Sequence, residues 1–167
     1  MNEGAVVILD AGPLIHLDQL GCLDLLATFP RIYAPQIVWD EAIRHRPLLQ
    51  AGDIPTLSVQ PNPDTGSSRL VALIALHDLD EGEAVALALL EQMGAGIFLT
   101  DDAAARIAGN ALGCAVHGTL GVLIRGFTHG LRSLVEIHRL LAELPSRSSL
   151  HIRRSVLDKI IAQLPAL

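Results

Sequence analysis

Aromatic side chains are scarce in this sequence. Only five of its 167 residues are Phe, Tyr or Trp, about 3% of the chain. A platform that stacks on single-stranded bases needs several exposed aromatic rings, so the composition argues against a module of that kind. Half of the residues are hydrophobic, and most of these are Ala, Leu, Ile and Val. This aliphatic content favours α/β or all-α packing around the single core that a chain of this length can bury.

Cysteines and long apolar runs are also few. Cys22 and Cys114 are isolated and form no Cys-x-x-Cys pair, which favours reduced thiols in a cytoplasmic protein. The longest apolar runs, 70–76 and 84–90, are far shorter than the roughly twenty residues of a membrane span. Asp10 interrupts the chain before an apolar signal region forms, so we expect no signal peptide. These features predict a cytoplasmic protein with no membrane partner.

Lysine is nearly absent, and positive charge is in the minority. Lys159 is the only Lys among twelve basic residues, and the net charge is −6. Nucleic-acid binders usually carry a basic balance. An enzyme that clusters carboxylates around cations carries uncompensated negative charge instead, and two divalent ions would bring this chain to −2. The arginines suit bidentate phosphate recognition, so contact with RNA stays open.

Short apolar segments alternate with stretches of helical spacing. Strands are predicted at 5–9, 32–34, 57–59, 96–100 and 114–116, with helices between them. Alternation of this kind predicts βαβ units. The expected fold is therefore a three-layer α/β/α domain with a mainly parallel central sheet.

Acidic residues follow two of the predicted strands. Asp10 comes after the first strand, and the adjacent pair Asp101-Asp102 comes after the fourth. Each has a structural explanation, because Asp commonly caps a helix or forms a turn. One cap needs only one carboxylate, however, and ligands of parallel sheets bind at the carboxyl ends of the strands. The placement therefore suggests a shared site.

Two further acids lie on predicted helices. Glu41 occupies an otherwise apolar helix face, although a surface Glu beside Asp40 is the alternative. Asp80 and Glu83 have the spacing of a capping box. Glu81 and Glu83 point about 200° apart on a helix, so at most one of them can face a common site.

Convergence of these acids would place several negative charges in one pocket. Such a cluster raises pKa values and destabilises the fold unless cations neutralise it. Oxygen donors favour Mg²⁺ or Mn²⁺ over zinc. The candidate catalytic and metal-ligating residues are Asp10, Glu41, Glu83, Asp101 and Asp102.

The order of these acids resembles that of PIN-domain nucleases, the fold of VapC-type toxins. Five words carry the resemblance: VVILDAGPLIHL, YAPQIVWDEAI, LDEGEAVALAL, LTDDAAARIAGNALG and VHGTLGVLI. They are most similar to a PIN-like branch that carries DAGPLI, GEAxAL and DDxxAR words. The resemblance implies a metal-dependent ribonuclease that binds Mg²⁺ or Mn²⁺, acts on RNA and is paired with a small antitoxin protein. The alternative is a catalytically weak PIN-like binding module that acts through a protein partner.

The sequence departs from the PIN pattern in three places. Gly12 stands where many VapC toxins carry Ser, Thr or Asn, and Glu83 stands where many relatives carry Asp. The fourth acid is ambiguous between Asp101 and Asp102, one of which Thr100 is expected to orient. These departures bear on rate and metal preference more than on the class of reaction.

The remaining motifs receive structural interpretations. The seven His show no spacing of a metal site and are assigned to the surface or the core. Thr119 is expected to cap a helix. A haloacid-dehalogenase-type phosphatase needs a second Asp at position 12, and a response-regulator receiver needs a Lys near the site, so both are disfavoured.

The resemblance divides the chain into a nuclease core at 1–130 and C-terminal helices at 131–167 that pack on the same single domain. The helices would carry the apolar residues Leu134, Ile137, Leu141, Val156, Ile160 and Leu164. These faces offer material for a homodimer interface or an antitoxin groove, or they cap the core of a monomer.

Overall fold

The structure is a computed structural model that describes residues 5–64 and 66–165. Within these ranges it has five β-strands. They are β1 (Val7–Leu9), β2 (Ile32–Pro35), β3 (Leu57–Gln60), β4 (Ile97–Leu99) and β5 (Ala115–His117).

Helices follow most strands. In the same ranges they are α1 (Ala11–Leu20), α2 (Gln36–His45), α3 (Ser68–His77), α4 (Glu81–Met93), α5 (Ala103–Ala111), α6 (Thr119–Thr128), α7 (Leu134–Arg147) and α8 (Arg154–Gln163). Short 3₁₀ helices occupy Leu23–Thr28 and Ala51–Asp53.

The five strands form one parallel sheet in the order β3-β2-β1-β4-β5. Val7 of the central strand β1 is in register with Ile32 of β2 and Ile97 of β4. Since every strand runs in the same direction, all carboxyl ends meet at one edge of the sheet. The predicted α/β fold with a parallel central sheet is confirmed.

Helices cover the sheet on both faces. The helices α3, α4 and α5 contact one another, and α4 also packs on β1 and β2. On the other side α1 contacts α6 and α7, while α2 contacts both α1 and α4. All three residues of β1 are fully buried, as expected for a central parallel strand covered on both faces. The strand therefore fixes Asp10, the next residue, at the edge of the core.

The helix α1 begins earlier than the sequence suggests. Proline is common at the first helical position, which would place the start at Pro13, but the helix begins at Ala11, with Asp10 as the N-cap. Pro13 then lies in the first turn, where its missing N–H costs nothing. The carboxylate of Asp10 thus starts the helix at the point where β1 ends.

The C-terminal helices pack against the rest of the described chain. α7 contacts α1 and α6, and α8 contacts α7. Ile137 and Leu141 are fully buried, whereas Val135 and Val156 remain 64% and 43% exposed. Much of the predicted apolar face is thus used inside this packing. The division of the chain near residue 130 stays a prediction. Residues 1–4 of the predicted core and residues 166–167 of the predicted C-terminal part lie outside the described residues.

A helix that crosses a bilayer needs about twenty mostly apolar residues. In the parts of the chain that the structure describes, no helix is both long enough and apolar enough to cross a membrane.

Candidate active site

A crevice of about 360 Å³ lies at the carboxyl edge of the sheet. All five acids predicted from the sequence line it, together with Asp80. The full lining is Asp10, Ala11, Gly12, His16, Glu41, Asp80, Glu83, Asp101, Asp102, Ser149, Leu150 and His151. We call this feature the acidic crevice.

Asp10 is the most buried acid of the acidic crevice, with 7% of its surface exposed. Its Oδ1 accepts a hydrogen bond from the backbone N–H of Ala11 at 2.8 Å, and its Oδ2 accepts one from the hydroxyl of Thr100 at 2.8 Å. Burial raises the pKa of Asp10 to about 6; the two hydrogen bonds oppose this shift, and the charges of Glu41 and Asp80 add to it. Asp10 therefore caps α1, and its charged form is disfavoured by burial. A nearby cation would stabilise that charged form.

Thr100 connects the ends of β1 and β4. This residue is fully buried. Its hydroxyl donates to Asp10, and its oxygen also accepts the backbone N–H of Asp102 at 3.2 Å. Thr100 was expected to orient Asp101 or Asp102: it accepts the backbone N–H of Asp102, and the side chain that it holds is that of Asp10.

Asp101 is held by three hydrogen bonds. Its Oδ2 lies 2.7 Å from Nδ1 of His16 and accepts the hydroxyl of Thr119 at 2.5 Å, while its Oδ1 accepts the N–H of Thr119 at 2.8 Å. A Cβ at Gly118 would clash with Oδ1 of Asp101, so glycine allows this close approach. Thr119 does not cap α6 as expected. Gly118 is the N-cap, and Thr119 holds Asp101.

Asp102 is the N-cap of α5. Its Oδ1 accepts the backbone N–H of Ala105 at 2.8 Å. Within the described residues no hydrogen bond reaches its other oxygen. Of the adjacent pair, Asp102 therefore keeps the more accessible carboxylate oxygen, while Asp101 is engaged on both.

Glu41 reaches the acidic crevice from α2, and its carboxylate makes no hydrogen bond to any part of the chain that the structure describes. A Cβ at Gly82 would lie 3.3 Å from Oε2 of Glu41 and 3.4 Å from Oδ1 of Asp80. These distances are tighter than ordinary contact, so the glycine gives Glu41 room to approach the start of α4. The two carboxylates thus meet at the same helix end.

Glu83 belongs to the capping box that the sequence predicted. Its backbone N–H donates to Oδ1 of Asp80 at 2.8 Å, and its Oε2 accepts the backbone N–H of Asp80 at 3.0 Å. Burial raises the pKa of Glu83 to about 7, and the charges of Asp80, Asp102 and Asp10 add to the shift. Glu81 is exposed and does not line the acidic crevice, as expected from its position on the helix.

A second part of the lining was missed at the level of sequence. His16 comes from α1, and Ser149, Leu150 and His151 come from the segment between α7 and α8. His16 follows Gly12 by four residues, so both lie on one face of α1, and that spacing could have revealed it. The sequence holds no comparable signal for Ser149–His151, because their place depends on how the C-terminal helices pack.

The electrostatics of the acidic crevice are one-sided. Among the lining residues that the structure describes, six are acidic and none is Lys or Arg. Carboxylate oxygens are the donors that Mg²⁺ and Mn²⁺ prefer, and the raised pKa values of Asp10 and Glu83 indicate charge that a cation would relieve. Residues 5–64 and 66–165 contain no cluster of three His, Cys, Asp or Glu already at metal-binding spacing. The donor set therefore fits such ions by chemistry, and binding requires side chains to close in.

A larger cavity, of about 730 Å³, lies between the end of β3 and α4. Its acids are Asp64 and Glu91, and Glu91 is occupied by hydrogen bonds from the backbone and hydroxyl of Ser67. Among the described residues that line it, this cavity offers no cluster of reactive side chains. We therefore place the candidate site in the smaller acidic crevice, because that is where the acids converge.

The fold and the acidic crevice together define an α/β protein of a class that includes metal-dependent nucleases. A family model described as a PIN domain matches residues 6–165, and the chain belongs to this family. PIN domains are generally nucleases and usually bind divalent metals. The match does not single out the VapC-type toxins within the family. A comparison with curated proteins gives no match.

Proposed function

We propose that this protein is a metal-dependent endoribonuclease that hydrolyses RNA phosphodiesters with Mg²⁺ or Mn²⁺. The main support is the convergence of Asp10, Glu41, Glu83 and Asp102 in one crevice at the carboxyl edge of the sheet. A parallel sheet of this kind binds its ligands at that edge. Membership of the PIN family supports the same class of reaction.

The four converging acids are the proposed ligands. Asp101 was the fifth acid expected from the sequence, but its oxygens are engaged by His16 and Thr119. We therefore assign Asp101 to positioning these two residues rather than to the metal centre. Divalent ions bound at such a site lower the pKa of a water molecule and stabilise charge at the phosphate.

The proposed ligands differ in how firmly hydrogen bonds hold them. Asp10 is fixed by Thr100 and Ala11, so its carboxylate has a defined position. Glu41 makes no hydrogen bond among the described residues, so its carboxylate is free to move toward a bound cation. In this proposal the acids orient the attacking water, and no side chain forms a covalent bond to phosphorus.

The chemical ends of the products test this mechanism. Attack by water that breaks the bond from phosphorus to the 3′-oxygen leaves a 5′-phosphate and a 3′-hydroxyl, whereas a histidine acid–base pair activates the 2′-hydroxyl, expels the 5′-oxygen and leaves a cyclic phosphate. The test is needed because His16 and His151 both line the acidic crevice. We expect an end-labelled oligoribonucleotide to yield 5′-phosphate ends in Mn²⁺ and no cleavage in EDTA. Cyclic phosphate ends, or cleavage that survives chelation, would contradict the mechanism.

Adjacent residues of α2 provide a matched pair of variants. Glu41→Gln removes a charge from the acidic crevice, and Asp40→Asn removes a charge from an exposed neighbour that does not line it. We expect Glu41→Gln to lower kcat/KM by more than the roughly 10–100-fold cost of losing an outer-shell partner. Asp40→Asn should retain activity. Equal activity in the two variants would remove Glu41 from the site.

A catalytically weak binding module is the second candidate. It is favoured by one observation, the lack of a ready-made metal cluster among the described residues. A protein that binds cations only in its folded state gains thermal stability from them. We expect Mn²⁺ to raise the Tm of the wild type and to raise that of Asp10→Asn much less. A wild-type Tm that Mn²⁺ leaves unchanged would favour the binding module.

The proposal includes a small antitoxin partner and a homodimer as expectations of the PIN resemblance. Val135 and Val156 are large exposed apolar residues that α7 and α8 offer to such partners. Light scattering over a wide concentration range tests the homodimer. A constant monomer mass would exclude it.

A further inference from the structure

We infer that His16 and His151 bind a backbone phosphate of the RNA strand beside the scissile bond. The inference rests on the proposed ribonuclease function and assigns the part of the acidic crevice that the carboxylates do not form. It also gives the segment between α7 and α8 a role in recognising the substrate.

The acidic crevice is lined by many negative charges and few groups that can be positive. RNA is a polyanion, and six carboxylates in the acidic crevice repel it. In the described lining, His16 and His151 are the only side chains able to carry positive charge. A phosphate that does not contact the metal ions therefore finds its favourable partners at these two rings.

A hydrogen bond to Asp101 fixes the ring of His16. Its Nδ1 lies 2.7 Å from Oδ2 of Asp101, and 13% of its side chain is exposed. An ionised carboxylate only accepts hydrogen bonds, so Nδ1 donates to it. The ring is thereby fixed, and Nε2 makes no hydrogen bond within the described ranges. Because His16 lines the acidic crevice, Nε2 is the ring nitrogen left to bind a ligand there.

The chain between α7 and α8 is held against α1, and it carries His151 at the acidic crevice. Residues 148–153, which we call the connecting segment, join α7 to α8. Oε1 of Gln19 accepts the N–H of Ser149 at 2.8 Å and the hydroxyls of Ser149 and Ser148 at 3.1 and 3.2 Å. Three hydrogen bonds to one oxygen of α1 fix the segment there. His151, two residues further on, then lines the same crevice as His16.

A charge series at position 151 tests the phosphate contact. His151 is exposed, and the structure shows no hydrogen bond from its ring to the described chain, so its replacement should leave the fold intact. We expect His151→Glu to weaken binding of a fluorescent single-stranded oligoribonucleotide by about tenfold or more, and His151→Lys to retain it. His129, exposed at the far end of α6, provides the control His129→Glu, which should bind like the wild type.

Substitutions at Gln19 test the anchor. Gln19→Leu removes the oxygen that accepts three hydrogen bonds, whereas Gln19→Glu keeps an acceptor. We expect Gln19→Leu to raise KM several-fold with little change in kcat, and Gln19→Glu to restore KM. A structural defect alone would lower kcat or the Tm instead. An unchanged KM in Gln19→Leu would show that the connecting segment does not shape the substrate site.

The two proposals fail in different ways. If the wild type cleaves RNA in Mn²⁺ and His151→Glu keeps the wild-type KM and affinity, the inference is overturned and the ribonuclease proposal stands. If the wild type neither cleaves nor binds the oligoribonucleotide, both are overturned. Loss of affinity in His151→Glu but not in His129→Glu supports the assignment.

Discussion

The acidic crevice joins two regions that are built differently. Around the ends of β1 and β4, Asp10, Thr100 and Asp101 are tied into hydrogen bonds with the backbone and with one another. On α2, by contrast, Glu41 makes no hydrogen bond in the described chain. The strand-end region is therefore positioned by the fold before any ligand arrives. The helix-borne region can adapt to its ligand, and this contrast predicts different responses to substitution.

The largest effect is expected from Asp10→Asn in the absence of divalent cations. Burial raises the pKa of Asp10 from its ordinary 3.8 to about 6, so the folded protein holds this proton more tightly than the unfolded chain. The resulting stability is present below the ordinary pKa and is lost as the pH rises to about 6. Between about pH 4 and pH 7, the free energy of unfolding of the wild type should therefore fall by on the order of 3 kcal/mol more than that of the variant.

Urea denaturation of both proteins in EDTA at these two pH values measures that difference. Addition of Mn²⁺ at the higher pH should stabilise the wild type preferentially. If the free energies of unfolding of the two proteins change with pH by the same amount, the pKa of Asp10 is not raised in the folded state.

A smaller effect is expected from Thr100→Val. The substitution keeps the shape of the side chain but leaves Asp10 and the N–H of Asp102 without their shared partner. We expect a loss of about 1–3 kcal/mol in the free energy of unfolding and of about 10–100-fold in kcat/KM. Thr100→Ser retains the hydroxyl and should recover most of both. If Thr100→Val keeps full activity, the strand-end region does not need to be fixed.

The smallest effect is expected from Gly12→Ser. A Cβ at Gly12 would lie 3.5 Å from Cβ and 3.7 Å from Oδ2 of Asp101, which is ordinary contact. The substitution should change the free energy of unfolding by no more than about 0.5 kcal/mol. It supplies the hydroxyl that many VapC toxins carry, and we expect kcat/KM to rise about two- to tenfold. Gly52→Ser, at a position with open space around it, is the control and should leave kcat/KM unchanged.

The sequence predicted the strand-end region better than the region formed by the C-terminal part. Asp10 and Asp101 follow apolar strands directly, so the rule that parallel strands end at one edge places them together. Glu41 and Glu83 were candidates only as members of the whole acidic set, because a surface Glu and a capping box are the better explanations of each residue taken alone. In the structure Glu83 is in fact both a member of a capping box and a lining residue.

The partners of the acids could not be predicted in the same way. Whether Thr119 caps a helix or holds Asp101 depends on the close approach that Gly118 permits. His151 lies in the acidic crevice on a connecting segment that Gln19 of α1 holds by hydrogen bonds, although the two residues are more than a hundred positions apart along the chain. Such contacts depend on tertiary packing, which local patterns do not encode.

Some acids of the acidic crevice also cap helices, so selection for folding acts on them as well as selection for catalysis. Asp10 and Asp102 are N-caps, and Asp80 and Glu83 form a capping box. Each cap is worth about 0.5–2 kcal/mol in domains whose whole stability is about 5–15 kcal/mol. A descendant that lost its activity would thus still be selected to keep a capping side chain at these positions, although Asn could replace the buried Asp10 as a cap. Glu41 has no such second role in the described chain, so drift at this position would be the first sign that an evolutionary lineage had stopped using the site.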